Sequence, residues 1–270
     1  MTSTTEAAPI RRGYADSPLG QIHFVETGSG DPVLFLHETP RSWDQYRDVL
    51  PIVGRQRRAL AMDTLGFGDS CSPREDRSQI EAYAEGVVYL LDALEIDRVS
   101  LVGHHTGGVV AIEVAAAEGD RIDKLIVSST PLTNAEFVEA TRGFSIDVTE
   151  RSEDGAHLMD FWGQRAPHYP DEDRTELLDR FMVDALRSGK HAAGGHAACA
   201  GYEMEPRLDL IVAEFHLILG GADEHALEHS TPFVERVGPA SVQTVDGGPV
   251  PMPEHKPEEF AAAVERALEQ

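Results

Sequence analysis

The sequence predicts an α/β fold, a doubly wound and mostly parallel sheet that carries a helical insertion. Three observations predict it. Pro32–Leu36 is an unbroken apolar run, as in a strand buried on both faces. Beyond it, apolar runs alternate with stretches of helical period, the βαβα rhythm of a parallel sheet. Between about Thr130 and Pro206 the rhythm stops, and charge, histidine, glycine and aromatic residues replace it. The 270 residues, 41 % of them hydrophobic, suffice for one large core. The expected division is a core of residues 1–130 and 206–270 with a cap of residues 131–205.

The elements follow in order. Arg11–Ala15 and Gln21–Glu26 alternate in part and flank Ser17-Pro18-Leu19-Gly20, a turn signal, so they read as two strands. Pro32–Leu36 and Arg58–Met62 are the next strands. Gln79–Leu94 places Ala82, Val87, Leu90, Leu91 and Leu94 at helical spacing. Val99–Val102 is a strand, Gly107–Glu118 a helix of small and apolar residues, and Leu125–Ser128 a strand. In the insertion, His157–Trp162 and Thr175–Leu186 are helix-like, and Gly189–His196 reads as a loop. The rhythm resumes with the strand Phe215–Leu219, a helix over Glu224–Val237, the strand Ser241–Val245 and a helix Pro257–Leu268. That last helix opens with proline and two glutamates, which suit the positive end of a helix dipole.

Charge excludes some partners. Lys and Arg number 23 against 47 Asp and Glu, a net −24 at pH 7. Such a surface repels a phosphate backbone, so no nucleic-acid partner is expected. An anionic membrane surface is disfavoured for the same reason, and no stretch has the roughly 18 apolar residues of a membrane span. Met1–Pro9 has neither a basic n-region nor an apolar h-region. Cys71 and Cys199 are distant in sequence and read as reduced thiols. A cytoplasmic protein is expected, with a small molecule as its partner and a homodimer left open.

Chemistry concentrates at Ser100-Leu101-Val102-Gly103-His104-His105-Thr106-Gly107-Gly108, where a strand runs through a small-residue turn into a helix. This is the setting of a nucleophile elbow, Gly-x-Nuc-x-Gly, in which the central side chain is pushed out at the head of the sheet. The central residue here is His105. His37-Glu38-Thr39-Pro40 ends the third strand and is similar to a His-Gly-x-Pro oxyanion loop. Asp63-Thr64-Leu65-Gly66-Phe67-Gly68-Asp69-Ser70 resembles the Asp-x-x-Gly-x-Gly-x-Ser turn of the same proteins, in which the Asp63 position ties the turn through its side chain. Leu217–Asp223 looks like the strand that delivers a triad acid, and Pro257-Glu258-Glu259-Phe260 like the start of the last helix. Together these segments resemble the α/β-hydrolase superfamily, in its cap-containing branch, from about Arg11 to Gln270.

The resemblance implies the fold, and three departures reshape the chemistry. His105 stands at the nucleophile position. Counting back ten residues from Phe260, where that family usually has its catalytic histidine, reaches Val250. Glu38 replaces the glycine after His37. Imidazole is long enough to enter the space vacated at Val250, where Asp223 should lie. The expected catalytic residues are therefore His105 as general base, Asp223 as its orienting acid, and Glu38 as a second acid/base. The alternative for Glu38 is a loop carboxylate paired with Arg41 or Arg47. The N–H groups of Thr39 and Thr106 are the expected oxyanion hole.

His37, His104, Trp162 and His168 are the expected substrate-binding residues, with His37 bracing the oxyanion loop and His104 in a largely structural place. One or two of the cap aromatics Phe161, Trp162, Tyr169, Phe181 and Tyr202 should face substrate. His191 and His196 read as cap loop, and His225, His229 and His255 as solvated surface, with His255 able to approach the site only through a register shift. Neighbouring residues at an elbow point in different directions, so no metal and no cofactor are expected. The expected activity is hydrolysis of a small, fairly apolar carbonyl compound by water that His105 activates. The alternatives are proton-abstraction chemistry of the lyase, isomerase, cyclase or cofactor-free oxygenase kind, or a binding protein on the same fold.

Overall fold

Strands pair where the apolar runs fall. The computed structural model describes residues 9–74, 79–143 and 150–270. Its strands are β1 (Arg11–Ser17), β2 (Gly20–Gly28), β3 (Pro32–Leu36), β4 (Arg58–Met62), β5 (Val99–His104), β6 (Ile122–Ser128), β7 (Glu214–Gly220) and β8 (Ser241–Val245). They form one sheet in the order β1-β2-β4-β3-β5-β6-β7-β8. The β1–β2 hairpin is antiparallel and β2 pairs antiparallel to β4, while every later pairing is parallel.

The helices are α1 (Leu50–Val53), α2 (Gln79–Ala93), α3 (Thr106–Ala117), α4 (Ala135–Ala140), α5 (Ala156–Arg165), α6 (Arg174–Ser188), α7 (Gly194–Ala200), α8 (Glu205–Leu208), α9 (Glu224–Val237), α10 (Met252–His255) and α11 (Pro257–Glu269). Two cores sandwich the sheet. Leu34, Leu36, Leu101 and Leu217 pack with Tyr83 and Leu90 of α2 and Val109 and Ile112 of α3. Val33, Phe35, Val102 and Ile218 pack on the other face with Leu50 of α1 and Phe260 and Val264 of α11. Alternate residues of one strand thus enter opposite cores, which is why these strands read as unbroken apolar runs. Among the described residues, no helix is long and apolar enough to cross a membrane.

The stretch between β6 and β7 has two halves. Phe161, Tyr169, Leu177, Leu178, Phe181 and Ala185 form a small core of their own. Ala198, Cys199, Tyr202, Met204 and Leu208 instead join the main core beside α2 and α3. The Gly189–His196 loop expected from sequence is corrected here. It is a 3-10 turn, Gly189–His191, followed by α7. Ala192, Gly195, Ala198 and Cys199 are buried, and burying these small residues outweighs the low helix propensity of the Gly194-Gly195 pair.

Candidate active site

The elbow is built by close approach. A Cβ on Gly107 would fall 2.0 Å from the Leu36 carbonyl oxygen, and one on Gly103 would fall 2.3 Å from the Gly107 carbonyl oxygen. Only glycine lets β5, β3 and α3 meet so tightly. Between them, His105 is held at φ 47° and ψ −117°. A non-glycine residue at positive φ costs on the order of 1–3 kcal/mol, a cost met by the surrounding packing.

That conformation aims His105 at the end of β7. Its Nε2 lies 2.7 Å from Asp223 Oδ2. Asp223 is fully buried, and its Oδ1 accepts the Ala226 N–H at 3.1 Å, capping α9. Burial pushes the Asp223 carboxyl up, but the His105 cation and its hydrogen bond outweigh this and hold it at about 2. Burial pushes the His105 imidazole down, and Asp223, then Glu38, overturn that and leave it above its ordinary value. With Nε2–H donating to Asp223, Nδ1 is the nitrogen left for chemistry, and His105 lines a cavity of about 240 Å³.

Glu38, Thr39, Thr106 and Val250 line the same cavity. The N–H groups of Thr39 and Thr106 enter no hydrogen bond among the described residues. Glu38 is buried, and burial raises its carboxyl above the ordinary range against the pull of His105, Arg165 and Arg41. The alternative partners of Glu38 are engaged elsewhere: Arg41 with Asp184 and Glu254, Arg47 with Asp44.

The neighbouring histidines have fixed tautomers. The His104 Nε2–H donates to the Val250 carbonyl at 2.8 Å, so its Nδ1 accepts the Ser128 hydroxyl at 3.0 Å. Burial, then the His105 cation, lowers His104 to about 3. Val250 thus contributes its backbone to the site. The His37 Nδ1–H donates to the Glu38 carbonyl at 2.8 Å, and its Nε2 accepts the Thr64 N–H at 3.0 Å. Glu38, His104 and His105 can bring ligand atoms within 4.8 Å of one another. With His104 spent on both nitrogens and His105 Nε2 on Asp223, two ligands are left, fewer than a zinc site needs.

Residues 29–263 match the family described as the alpha/beta hydrolase family. The chain belongs to that family. It is similar to haloalkane dehalogenase 2 of Mycobacterium tuberculosis, at 32 % identity over 145 residues, 54 % of this chain and 50 % of that protein. It is similar to the soluble epoxide hydrolase of a Corynebacterium species, at 35 % identity over 126 residues, 47 % of this chain and 42 % of that one. The chain thus spans about half the length of the curated relatives it matches. A hydrolase structure from Pseudomonas aeruginosa superposes with a TM-score of 0.78 at 21 % identity, covering 96 % of this chain and 99 % of that one, a likeness of fold.

Within this alpha/beta hydrolase, several expected site residues lie elsewhere. Trp162 packs against the small cap core of Phe161 and Tyr169, away from the cavity wall. None of the five cap aromatics named from sequence lines the cavity, and Phe137 of α4 does. His37 does not line the cavity and spends both ring nitrogens on the Glu38 carbonyl and the Thr64 N–H. His168 does line the cavity. Asp63 accepts the N–H groups of Trp43 and Asp69 and holds His23, a tied turn. His255 bonds Asp173 at 2.8 Å, outside the cavity wall.

Other residues enter: His196, read from sequence as cap loop, His225, read as solvated surface, and Arg165, which the sequence did not single out. His196 and Arg165 line the cavity from the cap. His225 stands at its mouth, its ring 6.4 Å from that of His105 and nearly parallel to it, with His229 behind it. The one sequence signal for His225 was its place two residues after Asp223, which the first turn of α9 carries toward the elbow.

Proposed function

We propose that this alpha/beta hydrolase cleaves a small, fairly apolar ester or lactone by direct attack of water. The observation that carries the reading is the 2.7 Å contact of the elbow histidine with Asp223, beside a last loop whose Val250 offers no base. His105 Nδ1 takes a proton from water, and the hydroxide adds to the carbonyl carbon. The oxyanion is held by the Thr39 and Thr106 N–H groups, each such donor contributing on the order of 10²–10³ in rate. Collapse breaks the acyl–oxygen bond, and the leaving alkoxide recovers the proton from His105. No acyl-enzyme forms. Asp223 fixes the tautomer and supports the imidazolium. Burial raises the Glu38 carboxyl, which lessens its opposition to an oxyanion, and its protonated form can donate a hydrogen bond to one. A cavity of about 240 Å³ limits the substrate to a small molecule.

The buried Glu38 facing the His105 base supports a second reading, abstraction of a substrate proton by His105 with reprotonation by Glu38. One experiment separates the two. Short p-nitrophenyl esters and small lactones are incubated with the protein, and the protein mass is followed during turnover. The hydrolytic reading expects steady release without a burst and without an acylated protein. No turnover of any ester or lactone removes it in favour of proton abstraction, and an acyl adduct removes both.

A further inference from the structure

Arg41 has no exposed surface, although it is the largest fully buried side chain among the described residues. Its guanidinium spreads over three elements. Nε donates to Asp184 Oδ2 of α6 at 3.0 Å, Nη1 donates to Glu254 of α10, and Nη2 lies 3.6 Å from Asp44. Asp184 takes a second bond from the Ser42 hydroxyl at 2.9 Å. One turn earlier on α6, Arg180 reaches Asp44 at 2.9 Å and Asp48 at 3.2 Å.

The segment gripped in this way carries the oxyanion loop. Arg41 is two residues from Thr39, and its own N–H closes a turn on the Glu38 carbonyl at 2.9 Å. The Glu38 N–H in turn donates to Gln45 Oε1 at 2.9 Å. From the other side, α7 presses on Thr39 itself: a Cβ on Gly195 would fall 1.8 Å from Thr39 Oγ1 and 2.6 Å from its Cβ. Two cap helices therefore hold the loop, α6 through Asp184 and α7 through Gly195.

We propose that Arg41 is a positioning residue that makes the oxyanion loop depend on the docked cap, so that Thr39 presents its N–H to the cavity only while Asp184 and Gly195 engage residues 38–42. The proposal rests on the hydrolytic reading for the use of Thr39 as a donor, and its geometry is independent of which reaction follows. A bare guanidinium–carboxylate brace would affect stability. A positioning contact must also move the donor, and a displacement of about 1 Å at a reacting centre costs on the order of 10²-fold in rate.

The test compares Arg41→Lys, Asp184→Asn and Gly195→Ala with the full wild-type chain. Amide hydrogen exchange is read by NMR at Thr39 and at Thr106, and p-nitrophenyl acetate turnover is read as kcat and KM. Gly195→Ala adds one methyl against Thr39 and removes no ion pair. The expected result is exchange at Thr39 faster by about tenfold or more in all three variants with Thr106 unchanged, and kcat lower by about 10- to 100-fold with KM within about twofold. Equal changes at Thr39 and Thr106, or a lower melting temperature with Thr39 exchange and kcat unchanged, would overturn it. If wild type turns over no ester, the hydrolytic reading fails, and the Thr39 exchange still decides the coupling.

Discussion

The elbow pair and the cluster around Arg41 both bury charge, and they do so for opposite ends. At the elbow, two groups face each other, and one of them, His105, opens onto a cavity and can exchange a proton with it, held above its ordinary value chiefly by Asp223. At the cap junction, Arg41 and Arg180 are shared among Asp44, Asp184 and Glu254, with Arg41 fully buried and Arg180 largely so, and an arginine does not release its proton. A buried charge becomes chemistry when it can change state against an open space. When it cannot, it fixes geometry. The elbow is also strained in its backbone, whereas the junction is held by a network of ion pairs.

The comparison breaks most visibly at His105. Replacing it by alanine is expected to lower ester turnover on the order of 10²–10⁴-fold and, because it strands the buried Asp223 carboxylate, to lower the melting temperature as well. His105→Ser should be equally idle, and a covalent serine probe should not label either form, because no base stands at Val250. Rapid labelling or esterase activity in His105→Ser would show that another base serves the elbow. Arg41→Met should bear more heavily on stability. It strands buried carboxylates and should cost on the order of 3–5 kcal/mol in urea unfolding.

Smaller effects sharpen the contrast. His105→Gly relieves the positive-φ position that His105→Ala keeps, and should be about 1 kcal/mol more stable than His105→Ala while equally idle, the mark of strain kept for function. The pH profile follows from His105. The base form is the active form, and Asp223, then Glu38, hold the imidazole above its ordinary value of 6.5. Activity should therefore rise with pH along a limb centred above 6.5, and an NMR titration of His105 should give the same midpoint. Asp223 stays ionised down to about 2, so it adds no limb there. Its stabilising contribution is present above the ordinary carboxylate range and is lost as pH falls toward 2. In Asp223→Asn the His105 midpoint should fall, moving the acid limb down as kcat drops. Glu38→Gln, which mimics the neutral acid, should lower kcat by only about threefold, as for one altered hydrogen bond.

The sheet was legible wherever one strand serves two cores. Val33 and Phe35 pack on one face and Leu34 and Leu36 on the other, so the run Pro32–Leu36 could be read without knowledge of its neighbours. The elbow was legible because Gly103 and Gly107 are required by backbone approach, which leaves a mark in the sequence. His196 and His225 were not legible. Their surroundings in sequence are small or charged residues, and what brings them to the cavity is the docking of α7 against Thr39 and the start of α9 at Asp223. Trp162 misled in the opposite way: an aromatic residue in a cap helix suits a pocket wall and a cap core equally, and its neighbours Phe161 and Tyr169 turned it to the core.

By itself, then, the sequence determined the α/β architecture, the His105 elbow and the family to which it belongs. Apolar period and obligatory glycines are local constraints, written residue by residue. Only the tertiary structure decided that Arg41 joins Asp184 of α6 to Glu254 of α10, and that His196, His225 and Arg165 line one cavity with His105. Those contacts join residues as much as 213 positions apart. Their energy comes from the mutual placement of charges and imidazoles, which no run of neighbouring residues encodes.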